Sequence, residues 1–261
     1  MVTVENRLLA DVAAEVAGRE ALVTFQEVKS ASRSPHLESP SDVRSMLLAS
    51  GCGVITAFDR FASDWRDHND PGDFASQVED SGALLLSYTI RRAHFADGVR
   101  DLKYIREVCG LPLLLHDLII DPYQIHEARV LGADALVLAV WAMDQAKLES
   151  LLDRIESLGM TALVEVHNPQ EARRAVDAGA SVLAIDVTGY RGEMTLPEAF
   201  GGICRQLPRE VLRVAMGGCF TAKELMRFAG HGADAVYLPH TDVATTRTLA
   251  TAGSHPACPS R

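Results

Sequence analysis

Three near-copies of one phrase decide the fold: Gly132-Ala-Asp-Ala-Leu-Val137, Gly179-Ala-Ser-Val-Leu-Ala184 and Gly232-Ala-Asp-Ala-Val-Tyr237. Each opens on a glycine of the kind that closes a helix in the left-handed conformation, then runs into an apolar, strand-forming stretch. The phrase reads as the joint between the end of a helix and the start of a strand. Gly159 is a further helix stop of the same type, shortly before Ala162. Asp121-Pro122 and Asn168-Pro169 mark helix starts, because proline in the first helical turn gives up an N–H that has no helical partner anyway.

Outward from these joints, apolar runs alternate with helical-period segments. The runs are Val54–Phe58, Ala83–Tyr88, Leu111–Leu115, Ala133–Val140, Ala162–Val166, Ser181–Ile185, Leu212–Met216 and Ala233–Leu238. Strands alternating with helices predict βαβ units and a parallel sheet, and a run of this number is what a closed barrel needs. The expected fold class is α/β, a (β/α)8 TIM barrel. An open doubly wound sheet alternates in the same way, but no G-x-G-x-x-G follows the first strand, so the dinucleotide-binding reading loses its best support. Residues 1–52 read as an N-terminal helical extension. Leu8, Leu9, Val12 and Val16 share one face of a first helix, Ser30–Pro40 is a polar loop, and a second helix opens at Ser41 with Leu47 and Leu48. Residues 53–252 are the barrel, and the tail Gly253–Arg261, rich in proline and serine, is expected to be disordered.

The chain has 261 residues, the size of one such barrel, and a net charge of −10. An acidic surface opposes nucleic acid as a partner, since binding to phosphate backbones draws on clustered Lys and Arg. Cys52, Cys109, Cys204, Cys219 and Cys258 are scattered with no C-x-x-C pair, which fits a reducing cytoplasm. The first residues lead into an amphipathic stretch with Asp11 and Glu15, not a signal peptide, and no apolar run approaches the ~20 residues of a membrane span.

Asp117 to Arg129 reads D-L-I-I-D-P-Y-Q-I-H-E-A-R. This resembles the segment after the third strand of indole-3-glycerol phosphate synthase, K-D-F-I-I-D-P-Y-Q-I-x-E-A-R. Leu163-Val-Glu-Val-His167, Phe95 before the second barrel helix, Gly132-Ala-Asp134 and the length of the N-terminal extension extend the resemblance over essentially the whole chain. It implies a cofactor-free lyase that closes the ring of a carboxyphenylamino-deoxyribulose phosphate, losing CO2 and water, in tryptophan synthesis. That chemistry needs a general acid, a carboxylate, a cation for the substrate carboxylate and a phosphate cradle near the last two strands.

Carried over position by position, the resemblance implies a changed site. The family's first strand ends A-E-x-K-x-x-S-P-S. Glu27-Val-Lys29 with Ser34-Pro35 could claim that place, but only Val54–Arg60 lies at the right distance before Asp70-Pro71. The family's glutamate is then Ala57 and its lysine Asp59. The lysine of K-D-F is His116 and the phenylalanine Leu118; the strand-five glutamate stays as Glu165. In the N-x-R-D-L motif the asparagine becomes Asp186 and the arginine Thr188. E-S-G becomes Met216-Gly217-Gly218, and the Gly-Ser phosphate pair becomes Pro239-His240.

The expected catalytic residues are His116, Glu165, Asp59 and Asp186, with His116 as general acid and Glu165 as general base. Phe95, Leu118, Met216, Gly217, Gly218 and His240 are the expected substrate-binding positions. Asp59 and Asp186 serve equally well as turn caps after strands, and His240 as a helix cap. His167 and Asp117 are expected near the rim without direct chemistry. His116, Glu165, Asp186 and Asp59 come from different strands without H-E-x-x-H spacing, so no metal is expected. The leading functional reading is acid–base lyase or cyclase chemistry on an aryl-amine or indole-like molecule. Residual synthase activity and a non-catalytic binding barrel are the alternatives. The expected partner is a small-molecule substrate, whose anionic character the family implies and the lost lysines oppose; monomer and homodimer stay open.

Overall fold

The computed structural model describes residues 4–58, 70–90, 95–239 and 242–259. Strands β1 (Gly53–Phe58), β2 (Leu85–Tyr88), β3 (Leu113–Leu115), β4 (Ala135–Ala139), β5 (Thr161–Val166), β6 (Val182–Asp186), β7 (Leu212–Met216) and β8 (Ala235–Leu238) lie in sequential order, and β8 pairs back onto β1. All pairings are parallel, so the sheet is a closed (β/α)8 barrel. Every expected run contains a strand. Several strands start two residues late, at Leu85, Leu113 and Ala235, because the first apolar residues of the run belong to the turn that leaves the helix.

The repeated phrase owes its form to that turn. Gly132, Gly179 and Gly232 have φ of +84°, +95° and +98°, where a side chain would be strained. The aspartate two residues on ties the joint to its neighbours. Asp134 accepts N–H groups from Leu113 at 2.7 Å and Ser41 at 2.7 Å, and pairs with Arg106 at 3.0 Å. Asp234 accepts from the Arg213 N–H at 2.7 Å in the same manner.

Three helices precede the barrel, α1 (Val4–Glu20), α2 (Phe25–Ala31) and α3 (Val43–Ala49), where the hydrophobic pattern predicts two. The additional one is α2, started by a reciprocal capping box between Thr24 and Glu27. It takes in Glu27-Val-Lys29, so that segment is no barrel strand, in agreement with the choice of Val54–Phe58. Around the barrel run α4 (Pro71–Asp80), α5 (Phe95–Val108), α6 (Pro122–Val130), α7 (Gln145–Ser157), α8 (Pro169–Asp177), α9 (Leu196–Cys204), α10 (Ala222–Gly230) and α11 (Val243–Gly253). Asp121 and Asn168 cap α6 and α8 directly before their prolines. No described helix is long and apolar enough to cross a membrane.

The barrel interior is apolar, filled by Ile55, Leu85, Leu114, Val137, Leu163, Val182 and Val214, with Val43 and Leu47 of α3 packed onto the same cluster. The tail departs from its expected disorder. Through Pro259 it is folded: the Gly253 carbonyl accepts a hydrogen bond from the Cys52 N–H, and Cys258 is buried. A Cβ at Gly253 would collide with the Cys52 carbonyl, so the close approach of α11 to the start of β1 selects glycine, and burial of the apolar Cys258 holds the remainder of the tail against the barrel.

Candidate active site

Side chains two apart on a strand share a face, and on β5 this places Leu163 in the barrel core, Glu165 above it and His167 at the top. Glu165 pairs in register with Ala139 on β4 and Ala184 on β6, and the small neighbours leave space around its carboxylate. One carboxylate oxygen, Oε2, lies 3.5 Å from His116 Nε2, and the other, Oε1, lies 3.2 Å from His167 Nε2. Its side chain is only 15% exposed.

Each imidazole is held from its far side. His116 Nδ1 shares a 2.9 Å hydrogen bond with the Tyr237 hydroxyl, which lies 3.2 Å from Ser87 Oγ. With the His116 proton on Nε2 facing Glu165, Nδ1 accepts from Tyr237. His167 Nδ1 lies 3.1 Å from Glu171 Oε2, which also accepts the His167 backbone N–H at 2.8 Å. Asp186 ends β6; its Oδ1 accepts from the Thr188 N–H at 2.7 Å and hydroxyl at 2.6 Å, while Oδ2 lies 3.9 Å from His167 Nε2.

Burial would push the Glu165 carboxyl up, but the facing imidazoles of His116 and His167 outweigh it and hold the group at about 2. Hydrogen bonding to Glu165 raises His167 to about 9, against an opposing effect of burial and with help from Glu171. At neutral pH the pair is a carboxylate clasped by an imidazolium.

The structure thus brings His116, Glu165 and Asp186 to one end of the barrel, with Glu165 touching His116 on one side and His167 on the other, and His167 bridging toward Asp186. His167, expected near the rim without direct chemistry, stands at the top of β5 in contact with the Glu165 carboxylate and 3.9 Å from Asp186. Its place two residues after Glu165 is a legible sign, since period two carries both side chains to one face. No sequence signal singles out Tyr237 and Ser87, because their meeting with His116 depends on closure of the barrel. Asp117, expected near the rim, lines a cavity of about 490 Å³ between α1 and the segments that follow β2 and β3. There burial, opposed by a hydrogen bond from the Ile90 backbone, pushes its carboxyl up to about 7.

Phe95 and Leu118 line that cavity too, with the Arg19 guanidinium 4.5 Å above the Phe95 ring. His116, Glu165 and Asp186 are not among its walls, but the cavity borders the cluster, since Asp117 in its lining lies within electrostatic reach of His116. Met216 is buried in the barrel interior, in register with Asp186 and Tyr237. Gly217 and Gly218 have φ of +71° and +72°, and the Gly217 N–H donates to the Tyr237 carbonyl at 3.3 Å, so only Gly218 keeps the backbone donor expected of the pair. Asp59 and His240 lie outside the described residues. Glu165, His167 and Asp186 each present one donor atom within 4.8 Å of the others, the set best placed to hold a cation among the described residues.

A closed parallel barrel with titratable side chains gathered at the carboxyl ends of β3, β5 and β6 defines an enzyme of the (β/α)8 class, in which that end carries the chemistry. The family model of indole-3-glycerol phosphate synthase matches residues 5–241. Curated relatives named indole-3-glycerol phosphate synthase include one from Mycolicibacterium vanbaalenii, 43% identical over 98% of this chain and 97% of its own. Another, from Saccharopolyspora erythraea, is 40% identical over 98% of each chain. The chain belongs to the indole-3-glycerol phosphate synthase family. Among solved structures, a thiamine phosphate pyrophosphorylase from Pyrococcus furiosus matches with a TM-score of 0.58 at 17% identity, covering 79% of this chain and 97% of its own, a likeness of fold alone.

Proposed function

We propose that this chain is an acid–base lyase or cyclase of its family, with His116 as proton donor and Glu165 as the carboxylate of the reaction. Its substrate is an aryl-amine or indole-like small molecule. The observation that carries this reading is the His116–Glu165–His167 array: two imidazoles fix the two carboxylate oxygens at 3.5 and 3.2 Å, where the family pattern has a lysine beside the glutamate. The site has exchanged one set of proton-handling groups for another, which favours catalysis over a silent binding barrel.

The second reading is the family's own ring closure, run through His116 in place of lysine. It is favoured by the 43% identity to a relative bearing the synthase name. Complementation of a tryptophan auxotroph separates the two: growth supports ring closure, and its failure removes that reading. In either case Glu165→Gln and His116→Ala are each expected to lower turnover at least ~100-fold, the ordinary worth of a positioned general acid or base. Turnover unchanged in both variants would overturn the assignment of roles.

A further inference from the structure

We propose that Glu165 Oε1, His167 Nε2 and Asp186 Oδ2 form a site for one divalent cation of the zinc or manganese class. The donor set is one imidazole and two carboxylates, a combination suited to these ions. Two of its edges measure 3.2 Å, from Glu165 to His167, and 3.9 Å, from His167 to Asp186, with all three atoms within 4.8 Å of one another. Donors bound ~2.0–2.2 Å from a common ion lie about 3–3.6 Å apart, so a small inward rotation of Asp186 closes the site.

Strand register builds the set. Val166 pairs with Ile185, and one step further along both strands His167 stands beside Asp186, with Glu165 two residues below on the same face of β5. Ligands divided between β5 and β6 leave no recognisable spacing in the chain, which is why the sequence points to no metal.

Each donor is held by a partner on its other atom. His167 Nδ1 is tied to the Glu171 carboxylate, Asp186 Oδ1 is occupied by Thr188, and Glu165 Oε2 faces His116, itself anchored on Tyr237. A carboxylate behind a ligating histidine and hydrogen bonds behind a ligating aspartate are the outer partners that orient metal ligands. Charge points the same way. Among the described residues, Glu165 and Asp186 pair only with imidazoles and with no lysine or arginine. His167 is 37% exposed, which leaves open positions on an ion for water or substrate.

The inference rests on the same side chains as the acid–base reading but not on any substrate. His116 contributes no ligand atom, so His116→Ala is expected to lose turnover while still binding one ion per chain, with an affinity lowered no more than that of Glu171→Gln, which distinguishes failure of one proposal from failure of the other. The test is calorimetric titration of chelator-treated protein with MnCl2 and with ZnCl2. One saturable ion per chain is expected, weakened at least about tenfold by His167→Ala and by Asp186→Asn. Glu171→Gln, a change in the partly buried outer partner on α8 that removes no ligand and leaves the barrel interior intact, is expected to weaken it by about 10- to 100-fold. Absence of saturable binding, or equal affinity and stoichiometry in wild type and all three variants, overturns the site.

Discussion

Glu165 has two oxygens and each meets a different histidine, so a single substitution there disturbs both imidazoles at once. Glu165→Gln keeps the shape and removes the charge, and His167, now without the ion pair that raised it to about 9, is expected to fall back toward the ordinary range of histidine. A histidine NMR titration of the variant checks this. His126 on α6 makes the opposite case. It is fully buried, its Nδ1 lies 2.7 Å from Ser32 Oγ, and its Nε2 has no hydrogen-bond partner among the described residues. Burial lowers it from 6.5 to about 4, with the charges of Arg154, Arg33 and Lys29 adding to the effect. Because the folded value lies below the unfolded one, its contribution is complete above about pH 6.5 and is lost as pH falls toward 4. That contribution is about 3 kcal/mol at most. His126→Gln is expected to flatten the acid side of the unfolding-temperature profile over this window, and an unchanged profile would contradict it.

Elements are the most legible level, because their ends carry backbone requirements that only a few residues meet. Glycine at the helix stops and proline behind Asp121 and Asn168 punctuate the chain where the structure turns. Contacts across elements are harder to read: α2 is hidden inside a polar stretch whose only sign is Thr24 three residues before Glu27. The repeated Gly-Ala-Asp phrase reads as a joint, but its aspartate is also a clamp. Asp134 holds the start of β3, the entry to α3 through Ser41, and Arg106 of α5. Asp134→Ala would leave that arginine and two backbone donors without their acceptor, so a loss of about 3–5 kcal/mol is expected, readable in chemical denaturation. Asp134→Asn is expected to lose less, since it retains an acceptor oxygen. Equal stability of wild type and Asp134→Ala would show the clamp to be dispensable.

On the scale of the whole molecule, family and site carry different information. The scaffold, the position of the site and Glu165 follow from the resemblance, and similarity to the curated relatives spans the chain. On the proposed reading the changed positions set the chemistry apart, with His116 in the lysine's place and Asp186 in the asparagine's. Sequence reasoning reaches His116, Glu165 and Asp186, and the period-two spacing after Glu165 could have added His167; Tyr237 stays hidden, because β3 meets β8 only across the closed barrel. The phosphate side is changed as well, with Gly217 already bonded to Tyr237 and no lysine or arginine paired with the cluster among the described residues. The most direct test of the proposal that proton chemistry has passed from lysine to imidazole is kcat/KM for the carboxyphenylamino-deoxyribulose phosphate, measured beside the Mycolicibacterium vanbaalenii relative. A value at least ~100-fold below that relative, rising when His116 is changed to Lys, is the expected result. Equal values for the two proteins, indifferent to His116→Lys, would contradict it.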